Sequence, residues 1–308
     1  MKPEDIVILE LSSFQLMGMR VSPNISVITN MFPDHLNVHS SYEEYQNAKK
    51  EIYKHQNNED ILVLNDDNEI TNKFKNEILK ENPAKNIKLF SSLKELSNGY
   101  IYDRKDNFIK FIKDGKEEKI LYKDDVKLRG IHNYENICAA LAATDTLVSR
   151  EKQVQAIKEF NGVEHRLEFV RELDGVKYYN DSIGTSPAST IAGLNSFDEN
   201  IILLAGGSDK GLDYTEIGKK ISEKVGTLIL TGPTAPIIEK ATLNAIAKNG
   251  NSVNIIHCND LEEAVKKAQK VAKTGDVVLL SPASASFDAF KNFMERGEKF
   301  KELVNKLN

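Results

Sequence analysis

A regular alternation of short apolar runs with helix-length amphipathic segments constrains the fold of this chain more than any other feature. In the second half, apolar runs rich in β-branched residues are separated by segments whose apolar side chains recur every three or four positions. This pattern is typical of a parallel sheet that is covered by helices on both faces. It predicts a Rossmann-like domain over residues 164–308, with strands at 167–173, 176–179, 201–204, 227–230, 253–256 and 277–280 and helices at 187–194, 214–223, 235–248, 261–272 and 287–307.

The first half of the chain shows the same alternation. The continuous apolar run at residues 6–9 is typical of a strand buried on both faces of a sheet. A second parallel sheet is therefore predicted over residues 1–163, with strands at 6–9, 25–29, 60–64 and 87–90 and helices at 42–55 and 69–79.

Residues 99–122 depart from this alternation. Apolar and polar side chains alternate there around Asp106-Asn107 and Asp114-Gly115, and such dipeptides favour antiparallel hairpins at a sheet edge. Helices at 137–148 and 154–160 complete the first domain. We therefore expect an α/β protein, with a partial central domain of residues 1–163 followed by a Rossmann-like domain of residues 164–308.

Composition narrows the class of function. The formal net charge is −5 and the lysines are scattered, which argues against nucleic acid as a partner. No apolar run approaches the ~18 residues of a membrane span, and the first residues lack the apolar core of a signal peptide. Cys138 and Cys258 suggest neither a disulfide framework nor a metal site. A cytoplasmic monomer is expected.

An acid-histidine pair follows the strand predicted at residues 25–29. Pro33 blocks continuation of that strand, so Asp34 and His35 should lie in the loop beyond its carboxyl end. Open α/β sheets bind their ligands at such ends. An ordinary loop pair is an equally good interpretation from the local pattern alone.

The helix after this loop carries a lysine among aromatic residues. Ser41 and Glu44 form a capping-box pattern, and Lys49 shares a broad helical face with Tyr45 and Tyr53. Such a lysine commonly lays its stem on apolar surface and keeps its ammonium in water. The residues by themselves leave a catalytic role for Lys49 open.

Two further polar features each allow a structural and a functional interpretation. Glu10 ends the run predicted as a buried strand, where a carboxylate either forms a structural ion pair or holds a cation such as magnesium. Asn133 and Asn136 lie at the start of the helix predicted at 137–148. Asn133 either caps that helix or presents its amide to an adenine edge.

Colinear segments across nearly the whole chain resemble the ATP-dependent Mur ligase family of peptidoglycan synthesis. These segments are ELSSFQL, DH with AKKEIY, GIHNYENICAALAA, EHRLE, YYNDSIGTSPAST, GGSDKG and LLSPASASFDAFKNFMERGEKF. They look most like the members that add D-glutamate to UDP-N-acetylmuramoyl-L-alanine. The resemblance implies a cytoplasmic ligase of cell-wall synthesis and cell division, which uses ATP and Mg²⁺ and forms an acyl phosphate.

The resemblance also implies roles for individual residues. Glu10, His35 and Lys49 match the magnesium-associated positions, with Lys49 carbamylated and Lys49 and His35 catalytic. Asn133, Asn136, Arg166 and Asp181 match nucleotide-contacting positions, and Thr185, Lys210, Ser286 and Phe293 match positions around D-glutamate. Without the resemblance, Asp181 would be interpreted as a turn former, Lys210 as a solvated charge and Phe293 as a core residue.

Two departures from the family pattern affect the expected activity. Ile183 stands where many relatives have lysine, and no G-x-x-x-x-G-K-[ST] phosphate loop occurs anywhere in the chain. We therefore expect an incomplete central ATP-binding domain, truncated before its phosphate loop, and no turnover by this chain alone. The alternatives are a non-catalytic remnant that binds D-glutamate or nucleotide, and a sister ligase such as folylpolyglutamate synthase.

Overall fold

The computed structural model describes residues 2, 5–32 and 39–308, and the chain divides into two compact units. The first unit comprises Met1–Val126 and Ile131–Glu159, and the second comprises Lys127–Gly130 and Phe160–Asn308. None of the helices in the described part of the chain has the length and apolar character needed to cross a bilayer.

The first unit is built on one mixed sheet. Its strands are β1 Ile25–Ile28, β2 Ile61–Asn65, β3 Ile87–Ser91, β4 Gly99–Asp103, β5 Phe108–Lys113 and β6 Lys116–Tyr122. Its helices are α1 Ser13–Leu16, α2 Tyr42–Lys54, α3 Glu69–Glu81, α4 Ile131–Thr144 and α5 Arg150–Glu159.

These strands lie in sequence order, β1-β2-β3-β4-β5-β6. Neighbouring pairs from β1 to β4 are parallel, whereas β4–β5 and β5–β6 are antiparallel. The predicted hairpins at a sheet edge are therefore confirmed. Leu62, Leu64 and Phe74 are completely buried where α2 and α3 pack on the sheet.

The strand predicted at residues 6–9 is wrong. Residues 5–12, all within the described part of the chain, adopt neither helix nor strand, and Ile8 is 91% exposed. An apolar run becomes a strand only where a neighbour pairs with its backbone groups. Here β1 pairs with β2, and the segment 6–9 is not part of the sheet.

The second unit has one six-stranded sheet with helices on both faces. Its strands are β7 Glu168–Leu173, β8 Val176–Asn180, β9 Ile201–Gly206, β10 Val225–Thr231, β11 Asn254–His257 and β12 Val277–Leu280. Its helices are α6 Pro187–Leu194, α7 Thr215–Lys224, α8 Ala235–Asn249, α9 Leu261–Val271 and α10 Phe293–Asn305.

The strand order of this sheet is β11-β10-β9-β12-β8-β7, and only β7 runs antiparallel to its neighbour. Alternate residues of each central strand face opposite cores. Leu203 packs on the side of α7 and α8, whereas Leu204 packs on the side of α9 and α10. The order reverses between β9 and β12, and open α/β sheets bind ligands outside the carboxyl ends of strands at such a point.

The last helix begins later than predicted. Residues 287–292 form turns, with the Ala289 and Phe290 N–H groups bonded to the Ser286 carbonyl. Asn292 then caps α10 by accepting a hydrogen bond from the Glu295 N–H group. The first helical residue is Phe293 instead of the predicted residue 287, because the asparagine cap, and not the preceding aromatic residue, sets the helix start.

Candidate functional site

Three predicted substrate residues follow neighbouring strands of the second sheet. Thr185 follows β8, Lys210 follows β9 and Ser286 follows β12. These strands are adjacent and parallel in the order β9-β12-β8, so the three loops open at the same edge of the sheet. That edge includes the point where the strand order reverses.

The loop after β12 is buried and held by side-chain hydrogen bonds. Ser281 Oγ donates to Asp181 Oδ2 at 2.6 Å and lies 2.9 Å from Thr190 Oγ1. Ser284 Oγ lies 3.0 Å from the Tyr214 hydroxyl and 2.8 Å from Thr234 Oγ1. These bonds attach the loop to the end of β8, to α6 and to the starts of α7 and α8.

Ser286 differs from the other two serines of this loop. The residue is 2% exposed and its hydroxyl makes no hydrogen bond to residues 2, 5–32 or 39–308, but its oxygen is not completely buried. A hydroxyl without an internal bond, at the surface of a loop whose other two serines are hydrogen-bonded, can donate to a ligand.

Close backbone approaches shape the same edge. Gly206 at the end of β9 has φ +115°, and a Cβ there would lie 1.9 Å from the Thr231 carbonyl oxygen. Ala283 also adopts a positive φ, 56°. A cavity of about 110 Å³ opens beside Gly206, and its lining also includes Gly207, Gly232, Asp288 and Arg296 but not Ser286.

Asp181 is buried beneath these loops. Its Oδ1 accepts from the Leu167 N–H group at 3.3 Å, and its Oδ2 accepts from Ser281. Burial raises the pKa of Asp181 to about 6, against the lowering effects of the two hydrogen bonds and the charge of Arg166. With 4% exposure, this carboxylate supports the loop after β12 through its bond to Ser281.

The other predicted site residues of the second unit are more exposed to solvent than Asp181. Arg166 and Lys210 are exposed, whereas Thr185 and Phe293 are half-buried. Ile183 is half-buried, and its carbonyl accepts from the Thr185 N–H group at 2.7 Å.

In the first unit, Lys49 lies beside the segment that carries Glu10. Its Nζ is 3.3 Å from the carbonyl oxygen of Leu11, the residue after Glu10, and 5.9 Å from the centroid of the Tyr45 ring. The predicted helix and its Ser41 cap are confirmed, although the Glu44 carboxylate bonds to Ser40 and not to Ser41. His35 lies outside the described residues.

His39 was not singled out from the sequence, yet it connects α1 to α2. Its Nε2 lies 2.9 Å from Ser13 Oγ, and its ring stacks on Phe14 at 5.3 Å and meets Tyr45 edge-on at 5.4 Å. No periodicity marks a histidine in a loop as buried, so only the packing identifies it. It holds the ELSSFQL segment against the helix that carries Lys49.

The two predicted asparagines lie on α4, which begins earlier than expected, at Ile131, and ends at Thr144. Asn133 is therefore inside the helix, and its interpretation as the helix cap is wrong. Gly130, with a φ of 92°, lets the chain turn sharply into the helix one position before Ile131. Asn133 is half-buried and Asn136, one turn later, is exposed.

A second cavity lies at the carboxyl ends of β1 and β2. It has a volume of about 480 Å³, and its lining includes Asn30, Asn65, Asp67, Leu93 and the α4 residue Glu135. Asn65 donates to Asn30 at 3.1 Å, so the two strand ends are joined by an amide pair. Like the edge of the second sheet, this position is the one at which parallel sheets bind ligands.

Comparison with known proteins agrees with this architecture. The Mur ligase middle domain profile matches residues 1–144, and the Mur ligase glutamate ligase domain profile matches residues 165–284. The chain belongs to the Mur ligase family.

Relatives with closely similar sequences share one name. The chain is 49% identical, over 99% of its length, to UDP-N-acetylmuramoylalanine–D-glutamate ligase of Acetivibrio thermocellus, and 47% identical to the protein of that name from Clostridium acetobutylicum. It spans 65% and 64% of the length of these two relatives.

Solved structures show the same fold at low sequence identity. A pseudomurein peptide ligase type C from Methanothermus fervidus matches 92% of this chain with a TM-score of 0.63 at 18% identity, over 64% of that protein. MurF from Acinetobacter baumannii matches 91% with a TM-score of 0.64 at 16% identity, over 60% of its length.

Proposed function

We propose that this chain supplies the central and C-terminal domains of an ATP-dependent ligase that adds D-glutamate to UDP-N-acetylmuramoyl-L-alanine through an acyl phosphate. The domains are residues 1–163 and 164–308, acting in the cytoplasm as a monomer. The names of the relatives support this choice of substrates. The observation that carries the proposed D-glutamate site is the Ser286 hydroxyl, which makes no hydrogen bond within the described chain and lies in a loop fixed by Ser281 and Ser284.

In this proposal, the loop after β12 binds one carboxylate of D-glutamate. Ser286 donates its hydroxyl, and Thr185 offers a second hydroxyl at the neighbouring loop. Lys210, exposed after β9, meets the other carboxylate. Phe293, half-buried at the start of α10, packs on the carbon chain. Two anionic ends and an apolar middle select a dicarboxylic amino acid.

The oxygen donors around Glu10 in the first unit suit a magnesium site. Mg²⁺ prefers oxygen ligands, and the exposed Glu10 carboxylate supplies two. Lys49 Nζ lies against the neighbouring Leu11 carbonyl, so a carbamate on Lys49 would place a further carboxylate close to this segment. Glu10, carbamylated Lys49 and His35 would hold the ion. When bound, Mg²⁺ would offset the charge of the ATP phosphates.

Four of the predicted residues are proposed to contact the nucleotide. Asn133 and Asn136 present amides one helical turn apart, a spacing that suits the edge of one planar base. Arg166 is exposed, and its fork of N–H donors fits a phosphate. Asp181 retains unused lone pairs for a ribose hydroxyl, although it is buried beneath the loop.

Titration of the 308-residue chain with D- and L-glutamate, followed by NMR, tests the proposed substrate. Resonance shifts for D-glutamate should cluster at Thr185, Lys210 and Ser286, and Ser286→Ala should weaken binding by roughly 1–3 kcal/mol, the range for a hydrogen bond to a charged group. An absence of shifts at millimolar ligand, or an equal response to both enantiomers, would refute the assignment.

Carbon NMR after incubation with ¹³C-bicarbonate tests the modification of Lys49. A carbamate resonance is expected in the parent chain and should disappear in Lys49→Arg. Lys50→Arg is the matched control, because Lys50 lies on the same helix and forms an ion pair with Glu77 at 2.7 Å. A signal that survives Lys49→Arg, or that never forms, would leave Lys49 as a lysine whose stem packs on Tyr45.

A further inference from the structure

Arg296, near the start of α10, is 4% exposed and uses all of its N–H groups inside the protein. Its Nε donates to Ser182 Oγ at 3.0 Å, and Nη2 donates to the carbonyls of Ser182 at 2.9 Å and Ser284 at 3.1 Å. Nη1 donates to the carbonyls of Ser284 at 3.1 Å and Ala285 at 3.2 Å. A guanidinium has five N–H donors. No N–H donor of Arg296 remains for a ligand. Arg296 can therefore affect a bound ligand only through the groups to which it donates.

Those groups adjoin the residues proposed to bind substrates. Ser182 follows Asp181, and its hydroxyl also donates to the Phe293 carbonyl at 2.7 Å. Ser284 and Ala285 directly precede Ser286. One side chain therefore connects the loop after β8, the loop after β12 and the start of α10.

The surroundings of Arg296 are built to accept its charge without a bonded carboxylate. Burial lowers the pKa of Arg296 to about 10, and attraction from Asp288 opposes part of that effect, so the side chain is charged at neutral pH. A Cβ on Gly207 would lie 2.2 Å from the Ala285 carbonyl oxygen and 3.3 Å from Arg296 Nη1. Burying a charge is costly, and here main-chain carbonyls compensate for it.

We propose that Arg296 is a positioning residue for the amino-acid site, whose guanidinium holds the Ser182 and Ser284–Ala285 main chain so that Ser286 and Phe293 meet the incoming amino acid. The proposal deepens the proposed function and rests on it for the identity of the ligand. The hydrogen-bond arrangement itself does not depend on which ligand binds.

Arg296→Lys in the 308-residue chain tests whether the donor geometry of the guanidinium matters in addition to its positive charge. Lysine keeps the charge but has three donors on a single atom, so it cannot span the Ser182 and Ser284 carbonyls as a planar fork does. We expect D-glutamate to bind about tenfold more weakly to the folded variant, as is reasonable for a small misplacement of a binding group. Amide hydrogen exchange should become faster at residues 182–185 and 284–286.

Arg171→Lys is the matched control. Arg171 also donates to main-chain carbonyls of the α10 region, but at its far end, at Val304, Asn305 and Leu307. This variant should bind D-glutamate like the parent and leave exchange in both loops unchanged. If Arg296→Lys only lowered stability, its folded fraction would bind normally with parental loop exchange, and the positioning role would be refuted.

The two readouts distinguish failure of this inference from failure of the proposed function. If the parent chain does not bind D-glutamate, the proposed substrate fails, and loop exchange alone decides the role of Arg296. Faster exchange in both loops of Arg296→Lys would then uphold positioning, whereas unchanged exchange would overturn it.

Discussion

The loop at residues 281–286 and the segment at residues 5–11 both carry proposed binding residues, but they are organised in opposite ways. Ser281 and Ser284 are completely buried, and each hydroxyl has two partners in the second unit. In the first unit, Ile8 is 91% exposed and the residues before Glu10 belong to no strand in the described chain. The loop at 281–286 is fixed by its own unit, whereas the segment at 5–11 is not held by sheet pairing.

This contrast shows that a similar sequence pattern can be fixed by very different amounts of local structure. In both places an apolar run is followed by serines: residues 6–9 precede Ser12 and Ser13, and residues 277–280 precede Ser281. After Glu10, the chain is held by the Ser12 cap of the short helix α1 and by the contact of Lys49 with Leu11. Binding groups after β12 are therefore preorganised, and those around Glu10 depend on fewer contacts.

Alanine substitution at two glycines with positive φ, each next to one of these segments, tests this contrast most strongly. The Gly206 N–H group donates to the Pro282 carbonyl at 2.8 Å, and Gly18 follows α1. Gly206→Ala would place a Cβ 1.9 Å from the Thr231 carbonyl oxygen, whereas Gly18, at φ +81°, has nothing within 4 Å of such a Cβ. We expect Gly206→Ala to lower the free energy of unfolding by more than about 4 kcal/mol. Gly18→Ala should cost only about 1–2 kcal/mol, the conformational penalty. Chemical denaturation measures both, and equal losses would contradict a difference in packing.

The buried carboxylate beneath the β12 loop should give the second unit a distinctive pH dependence. Because folding raises the pKa of Asp181 from 3.8 to about 6, its protonated form stabilises the fold below about pH 4. That contribution is lost as pH rises through about 6. Asp181→Asn removes the titration, so its stability relative to the parent should increase by up to about 3 kcal/mol between pH 4 and pH 7.

Denaturation of the second unit followed across this pH range makes the comparison. Asp174→Asn is the control, since Asp174 is exposed in the turn between β7 and β8. The control should follow the parent at every pH. Parallel stability curves for Asp181→Asn and the parent would show that the carboxylate is not desolvated as the geometry indicates.

Local sequence signals predicted the elements whose ends are set by local chemistry. Ser41 and Pro187 mark the starts of α2 and α6 as expected, and the Asp174-Gly175 turn joins β7 to β8. The run at residues 6–9 was predicted wrongly because strand formation depends on a pairing neighbour, which no local pattern specifies. The start of α10 was missed because the weak signal of Asn292 competed with an aromatic residue at 287.

For the candidate site, the sequence indicated which loops matter but not what supports them. Ser286, Thr185 and Lys210 follow adjacent strands as the α/β pattern requires, although their roles remain proposals. Arg296 gave no signal, because an arginine between glutamate and glycine on a helix is typical of a solvated face. Its burial arises from two loops that are over a hundred residues apart in the chain, as its bonds to Ser182 and Ser284 show.

The smallest expected effect is that of a substitution at Ile8. This substitution tests the conclusion that residues 6–9 do not form a buried strand. At 91% exposure, truncation of this side chain to alanine removes little buried surface, so Ile8→Ala should change the free energy of unfolding by less than about 0.5 kcal/mol. Ile28 lies in β1 of the same unit and is only 6% exposed, so Ile28→Ala is the same substitution at a buried position. Ile28→Ala should cost about 2–5 kcal/mol, because it leaves a cavity against α2. Urea denaturation of the two variants side by side decides the matter. A loss at Ile8 as large as that at Ile28 would mean that residues 6–9 are buried in solution, and would restore the strand that the apolar pattern predicted.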